Sequence, residues 1–411
     1  MGKPPLIAGL EIGAYHLSMA VAQLQDRRRL VVRVLESVPA RGIERGVLSD
    51  PMECTDSIAR LIRQAERGLS AKIPPVMVAI TGNHLKSCNA AASIPIADPS
   101  VGISRRDVER AVATCRTLSL EYDRQILHAY QRGFSVDGQS GIKDPVGLYG
   151  TKLGVELHLI TALNLAMQNW VKVIQRAGLE VEQMVLPGVA AAEAVLSDLD
   201  RDVGVTAVRI GESQTEALLF SEGSVKESFL MPWGTDPLVQ AVSRNLKLPW
   251  AVAQQLFEKL SSLEERPESG SASPTLRVQS GSQERSFSHA QIAHLVRAKI
   301  KEFLGRLQHR MDESAAYRES AAGVVMVGPL TRLEGFLEMA EFILNMPVRL
   351  GTVKSLEMDP PVTLTAQHAT VLGLLHHGAK RRSSPVQRLP AEGPAWYRWL
   401  DRTRRLLEEY F

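Results

Sequence analysis

The chain of 411 residues predicts a duplicated α/β fold: two similar halves about a cleft, an α+β insert in the first half, and an amphipathic helix on a tether at the end. Three observations carry this expectation. A pattern of three strands, a helix and a further strand occurs twice, a stretch between the copies fits neither, and the last seventeen residues gather their large apolar side chains on one helical face.

The first copy opens with a short strand over 6–11 that ends at Gly13, and strands over 17–24 and 30–36 follow. A helix starts near Asp50 and Pro51, where aspartate caps and proline suits the first turn, and runs to Arg67. The apolar run 76–81 reads as a buried strand. In the second copy a strand over 203–210 ends at Gly211, strands over 216–220 and 225–231 meet at a Glu222-Gly223 turn, and helical sequence begins near Asp236. In a duplicated fold of this kind, paired glycine turns face the cleft and cradle phosphates through backbone N–H groups.

Residues 82–159 read as the inserted α+β subdomain. Ser104 with Asp107 three residues on makes a capping-box start for a helix through Val108, Val112 and Cys115. Strands follow over 125–130, 133–136 and 152–158, and 141–150, with three glycines and a proline, reads as an ordered irregular turn. A connecting helix spans 163–178. In the second half, 264–288 is rich in Ser, Gly, Pro and charge, with a small hairpin of 276–278 and 285–287 about Ser280-Gly281, and a long amphipathic helix covers 289–311.

At about 100° per residue, Trp396, Trp399, Leu400, Thr403, Leu406, Leu407, Tyr410 and Phe411 share one arc, and Arg398, Arg402 and Arg405 point elsewhere. The preceding stretch, 379–394, has the composition of a flexible linker. From Lys380 onward eight Lys or Arg face four Asp or Glu, a local charge of +4 in a chain of net +3. Tryptophan and arginine on a tethered helix suit the headgroup region of an anionic membrane surface, where each basic residue contributes about 1 kcal/mol.

Composition bounds the remainder. With 45% hydrophobic residues the chain can bury large cores, and at roughly 100 to 200 residues per domain it suggests two to four domains. No apolar run is long enough to span a bilayer, and the start of the chain is not a signal peptide, because its apolar segment stops at Glu11. Cys54, Cys88 and Cys115 lack metal or redox spacing and favour a reduced cytoplasmic setting. Nothing marks a nucleic-acid surface, a catalytic nucleophile or a metal site: His289, His294, His309, His376 and His377 read as helix-surface residues, and Trp233 and Trp250 as packing or interface anchors.

Gly42-Ile43-Glu44-Arg45-Gly46 with Asp50, Thr81-Gly82-Asn83-His84, the insert from Ile103 through Arg124-Gln125-Ile126-Leu127-His128 to Gly141-Ile142-Lys143-Asp144-Pro145-Val146-Gly147, His158-Leu159-Ile160-Thr161, and the late run from His368 through Gly373-Leu374-Leu375 to Gly378 resemble, in order, the bacterial cell-division protein family FtsA. The resemblance covers nearly the whole chain. It implies an actin/ribonuclease-H-like fold with an FtsA-type 1C subdomain in place of actin's 1B. The implied division is 1A over 1–81 and 160–200, 1C over 82–159, 2A over 201–237, 2B over 238–319, 2A and the C-terminal helix over 320–378, linker over 379–394 and membrane-targeting helix over 395–411. It also implies an ATP site in the cleft, head-to-tail filaments of the protein with itself, docking of the FtsZ C-terminal peptide on 2B, contacts of 1C with later division proteins, and a place on the cytoplasmic face of the inner membrane at the division site.

Against the family pattern, the three nucleotide loops are degenerate. The first carries Glu11 where the family has Asp, and Ala14 and Tyr15 follow Gly13 in place of small hydroxyl residues. The second runs Arg209-Ile210-Gly211-Glu212-Ser213-Gln214-Thr215-Glu216, so that a cation replaces an acid and Glu212 sets a like charge toward any phosphate. The adenosine loop, Gly328-Pro329-Leu330-Thr331-Arg332-Leu333-Glu334-Gly335, has a proline without an N–H where the family has glycine. These losses remove the close backbone approach and the carboxylates of a magnesium shell, so no cofactor is expected, and the chain reads as a pseudo-ATPase adaptor. Glu11 and Arg209 are expected to pair across the cleft in place of Mg-ATP. The alternatives are an actin-fold ATPase with a rewritten cleft, Arg209 holding phosphate without metal, and an adaptor like the pilus-assembly protein PilM.

Overall fold

The computed structural model describes residues 5–25, 29–69, 71–263, 275–280, 283–318, 320–353, 356–359 and 364–383. In chain order the first half contains β1 (Leu6–Ile12), β2 (His16–Gln25), β3 (Arg29–Pro39), the two-residue pair β4 (Ile43–Glu44) and β5 (Val47–Leu48), α1 (Pro51–Leu69) and β6 (Val76–Ile80). The insert follows with β7 (Leu85–Pro95), α2 (Arg105–Leu118), β8 (Arg124–Val136), β9 (Gln139–Ile142) and β10 (Lys152–Leu163), then α3 (Asn164–Arg176), β11 (Val181–Val185), α4 (Pro187–Val195) and α5 (Asp198–Val203). The second half has β12 (Val205–Ile210), β13 (Thr215–Ser221), β14 (Ser224–Met231), α6 (Asp236–Leu246), α7 (Trp250–Lys259), β15 (Thr275–Ser280), β16 (Gln283–Ser288), α8 (His289–Asp312), α9 (Ala315–Arg318), β17 (Val324–Val327), α10 (Phe336–Leu344) and β18 (Val348–Leu350). Last come β19 (Leu356–Met358) and α11 (Ala369–Ser383).

The duplication is visible in the sheets. One is ordered β11-β6-β1-β2-β3-β19 and the other β14-β13-β12-β17-β18. In both, the first strand pairs antiparallel with the second and parallel with a later strand, β1 with β6 and β12 with β17. Strands buried on both faces explain the continuous apolar runs: all five residues of β6 and all six of β12 are buried. The largest core packs the first half against β12, β13 and β17 of the second, a second core lies within the second half, and the insert, a sheet ordered β7-β10-β8-β9 with α2 packed on it, has a third.

Several boundaries differ from the sequence reading. β7 was not anticipated, because its serine and alanine residues give a weak strand signal, and 125–130 with 133–136 form one strand, β8. The turn read at 141–150 begins as the end of β9. The strand read from 203 starts at Val205, since Val203 ends α5 and Gly204 makes the turn.

Two corrections concern the C-terminal region. Residues 320–378 do not all belong to the second half: β19 pairs in parallel with β3, and α11 packs on α4, β1 and β2, so the chain crosses back and closes the first sheet. The contact is close enough that a Cβ on Gly373 would meet the Ala190 carbonyl oxygen at 1.7 Å. The linker does not begin at 379 either, because α11 runs on to Ser383, held by Lys380 on Glu193 and by Arg382 on Glu182 at 3.3 Å. The segment 384–411, with the remaining linker and the whole amphipathic arc, lies outside the described residues.

Candidate functional site in the cleft

The β1–β2 and β12–β13 turns are built alike. Gly13 N–H donates to the His16 carbonyl at 3.0 Å, and Gly211 N–H donates to the Gln214 carbonyl at 2.9 Å. Each turn thus presents its side chains to the other half, and three sets of contacts cross the gap.

The first set is ionic. Arg209 Nη2 donates to Glu11 Oε1 at 2.8 Å, its Nη1 lies 3.7 Å from Glu216 Oε1, and its Nε donates to Thr370 Oγ1 at 2.9 Å, at the start of α11. The Arg209–Glu11 contact is through one nitrogen rather than the two-point pairing expected from sequence, because Glu216 stands on the other side of the guanidinium. The Arg209 and Glu11 side chains are only 10% and 14% exposed, and Glu216 is fully buried, with its Oε2 accepting Gly188 N–H at the start of α4. Burial raises the Glu11 carboxyl, which Arg209 partly offsets, and burial pushes Glu216 up to about 7. Burial works against the charge of Arg209, but the two carboxylates outweigh it and raise its pKa.

The second set joins Tyr15 to the second loop. Tyr15 N–H donates to Glu212 Oε2 at 2.7 Å, and its hydroxyl donates to Asp236 at the first turn of α6. Glu212 Oε1 is also 3.5 Å from His16 Nδ1, and this hydrogen bond raises the imidazole pKa. Burial lifts the Asp236 carboxyl to about 6. The third set runs the other way: Gln214 Oε1 accepts from Thr81 Oγ1 at 2.6 Å and from Gly82 N–H at 3.1 Å.

The N–H of Tyr15, which the sequence marks as a departure from the family's first phosphate loop, is thus taken by a carboxylate from the facing loop. α6 starts with its Asp236 N–H on the Glu212 carbonyl. The third loop is closed on itself and on α7: Thr331 Oγ1 donates to the Gly328 carbonyl at 2.8 Å and Arg332 Nη2 to the Phe257 carbonyl at 2.7 Å. Gly328, at φ 115°, presses on β12, where a Cβ would come within 2.0 Å of the Ile210 carbonyl oxygen. In this arrangement the N–H groups of Gly13 and Gly211 close their own turns and that of Tyr15 is held by Glu212, so these three are not directed at a phosphate.

Of the sequence-predicted cleft residues, the structure brings Glu11 and Arg209 together and puts Gly13 and Gly211 in the turns that carry them. Gly335 caps α10 and instead lines a groove between α8 and α10, with Leu263, Arg297, Lys301, Met339 and Phe342. Sequence reasoning missed Tyr15, Gln214, Glu216, Asp236, Thr81 and Thr370 as cross-cleft partners. Only Glu216 and Asp236 carried a signal, as acids near a loop turn. His289, read as a surface residue, is buried at the start of α8, and Trp233 stacks on Phe303 at 4.3 Å. Among the described residues, no group of three or more His, Cys, Asp or Glu is placed to hold a metal ion.

Two family models, "SHS2 domain inserted in FTSA" and "Cell division protein FtsA", match residues 82–161 and 206–373, together more than half of the chain. The chain belongs to the FtsA family. It is 28% identical to the FtsA of Pseudomonas aeruginosa over 380 residues, 92% of this chain and 90% of that protein, and 27% identical to the FtsA of Neisseria meningitidis over 421 residues, 98% of each. Among solved structures it resembles the PilM–PilN type IV pilus biogenesis complex, with TM-score 0.65, 14% identity and coverage of 91% of this chain and 98% of that one. It also resembles MreB5 of Spiroplasma citri bound to ADP, with TM-score 0.55, 10% identity and coverage of 94% and 100%. These two likenesses establish the actin-type fold, and the first family model identifies the insert as the SHS2 domain characteristic of FtsA.

Proposed function

We propose that this FtsA-family protein is a membrane-tethering adaptor and polymerising scaffold that anchors the FtsZ ring to the cytoplasmic face of the cell membrane, with nucleotide binding weak or lost. The observation that carries this reading is the cleft. Arg209–Glu11, Tyr15–Glu212 and Gln214–Thr81 span it where a metal–nucleotide bridge would otherwise join the halves. A cleft closed by its own side chains makes the ligand-bound shape the default, so assembly needs no ligand to select it.

Docking of the acidic C-terminal peptide of FtsZ is supported by the groove between α8 and α10. Arg297 and Lys301 flank an apolar wall of Leu263, Met339, Phe342 and Ile343, and Phe342 is 85% exposed. The groove straddles the boundary drawn for 2B, because α10 contributes one wall. Of the α8 cations, Lys299 and Arg306 pair with Glu302 and Arg310 pairs with Glu313, whereas Arg297 and Lys301 line the groove together with Glu338 of α10.

Electron microscopy on an anionic lipid monolayer tests the reading. Filaments are expected without nucleotide and unchanged by ATP with magnesium. Polymer seen only when ATP is supplied would overturn it and favour the rewritten-ATPase alternative.

A further inference from the structure

The insert has a hydrophobic core of its own, built on Ile94, Ile103, Phe134, Leu153, Leu157 and Leu159, and at its base Leu85, Ile160 and Ala162 join the large core that runs through both halves. Its neck is tied in the first half by Arg124. That buried guanidinium donates to Thr161 Oγ1 at 2.8 Å, to the His84 carbonyl at 2.8 Å and to the Thr161 carbonyl at 3.0 Å, drawing the entering and leaving strands together. The same sheet also rests, through β7, β8 and β10, on β14 of the second half, and a set of polar contacts joins them.

His158 lies at the centre of this seat. Its Nδ1 meets Asn89 Oδ1 at 2.7 Å within the insert, and its Nε2 meets Ser228 Oγ at 2.6 Å on β14. Ser87 Oγ donates to the Ser228 carbonyl at 2.7 Å, Lys226 Nζ donates to the Arg132 carbonyl at 3.1 Å, and Lys143 pairs with Glu222 at 2.7 Å. Beside these polar contacts Leu127 and Tyr130 of β8 and Val225 and Leu230 of β14 belong to or pack on one apolar cluster, so the seating of the insert and the packing of the second half are tied together.

The two seats are linked through the cleft. Gln214, in the second loop, holds Thr81 and Gly82, the residues through which the chain passes from β6 into the insert, and β13 begins at Thr215, the next residue. Gly82 stands at φ 143°, a conformation that residues with a side chain rarely adopt, and a Cβ there would meet the Gly46 carbonyl oxygen at 2.7 Å. One segment of the second half thus grips the neck of the insert at one end and, through the β13–β14 hairpin, carries its seat at the other.

We propose that the insert is a clamp across both halves, and that its seating on β14 and the closure of the cleft are one conformational equilibrium. A protein that binds the insert thereby changes the cleft, and a change in the cleft repositions the insert's binding face. The coupling is reciprocal, as any linkage of two sites to one equilibrium must be. It does not rest on the nucleotide reading, since it applies whatever occupies the cleft.

Hydrogen–deuterium exchange on the full chain, comparing wild type with His158→Ala and with Gln214→Ala, tests this. His158→Ala is expected to speed exchange about tenfold in β14 and also in the cleft segments 11–16 and 81–84, which it does not touch. Gln214→Ala is expected to speed exchange in β14 and along β7. A response confined to the neighbours of each substituted residue overturns the coupling. Because His158→Ala leaves the Ser228 hydroxyl unpaired, Ser228→Ala is measured beside it. The clamp requires the same remote response in the cleft from either side of the seat, and a cleft unaffected by Ser228→Ala also overturns it.

Discussion

A guanidinium buried between two carboxylates, as Arg209 is between Glu11 and Glu216, costs more to remove than either of its partners. Arg209→Gln leaves two buried acids facing each other and is expected to cost about 3–5 kcal/mol. Glu11→Gln leaves Glu216 still beside the cation and is expected to cost clearly less. The double variant is therefore expected to be less damaged than the sum of the two, and strictly additive thermal unfolding would refute the pairing. The same cluster sets a pH dependence. Glu216 titrates near 7 in the folded protein against an ordinary 4.5, so the folded state binds the extra proton and loses stability as pH rises through that window. His16, raised by Glu212, contributes in the same direction as pH rises above its ordinary 6.5. The buried His84, His128 and His158, which burial lowers to about 4, 3 and 4, act the other way as pH falls through their ordinary 6.5. The contribution of Glu216 is therefore read by difference: the melting temperature of the wild type relative to Glu216→Gln should fall as pH rises from about 4.5 to about 7, and an unchanged difference would refute it.

At the scale of elements, what was legible depended on how local the signal was. The strands β1, β2, β3 and β12, β13, β14 show in sequence because apolar runs alternate with turn glycines, and the capping box of α2 is present as read. α4 left no period to find, since eight of its nine residues are buried, and α7 was missed beside its proline. The return of β19 and α11 to the first half has no local signature, because it depends on a parallel pairing with a strand over three hundred residues away. The Glu11–Arg209 contact was legible because two turns of one repeated pattern must face each other. Of the neighbours that complete the cluster, Glu216 lies on a strand that was legible, whereas Thr370 arrives from α11, whose placement was not. The α8–α10 groove is a similar case: its cations were visible on the helix, but only the fold separates Arg297 and Lys301 from those paired along α8. Charge reversal at Arg297 and Lys301 is accordingly expected to weaken binding of the FtsZ C-terminal peptide about tenfold or more in anisotropy titrations, and reversal at Lys299 and Arg306 to leave it nearly unchanged. Equal losses from both pairs would count against the groove.

For the molecule as a whole, the question is what holds it at a membrane. Among the described residues no helix is long and apolar enough to cross one, and the proposed function assigns attachment to the segment beyond Ser383. α11 sets where that segment departs, because Lys380 and Arg382 fix its last turn to Glu193 and Glu182 on the first half. In the proposed anchor, Trp396, Trp399, Leu400, Leu406, Leu407, Tyr410 and Phe411 would supply one apolar arc if the segment winds as a helix, and Arg398, Arg402 and Arg405 the charge for an anionic surface. A single such helix binds weakly, whereas a filament presents many at once, so removing the arc should abolish pelleting with vesicles without lowering the melting temperature of the body. Deletion of 395–411 and the double substitution Trp399→Glu with Leu406→Glu are both expected to leave the protein in the supernatant with anionic liposomes. If the helix instead packs against the body, the same changes would lower the melting temperature, and unchanged pelleting by the truncated chain would remove the anchor from the proposed function.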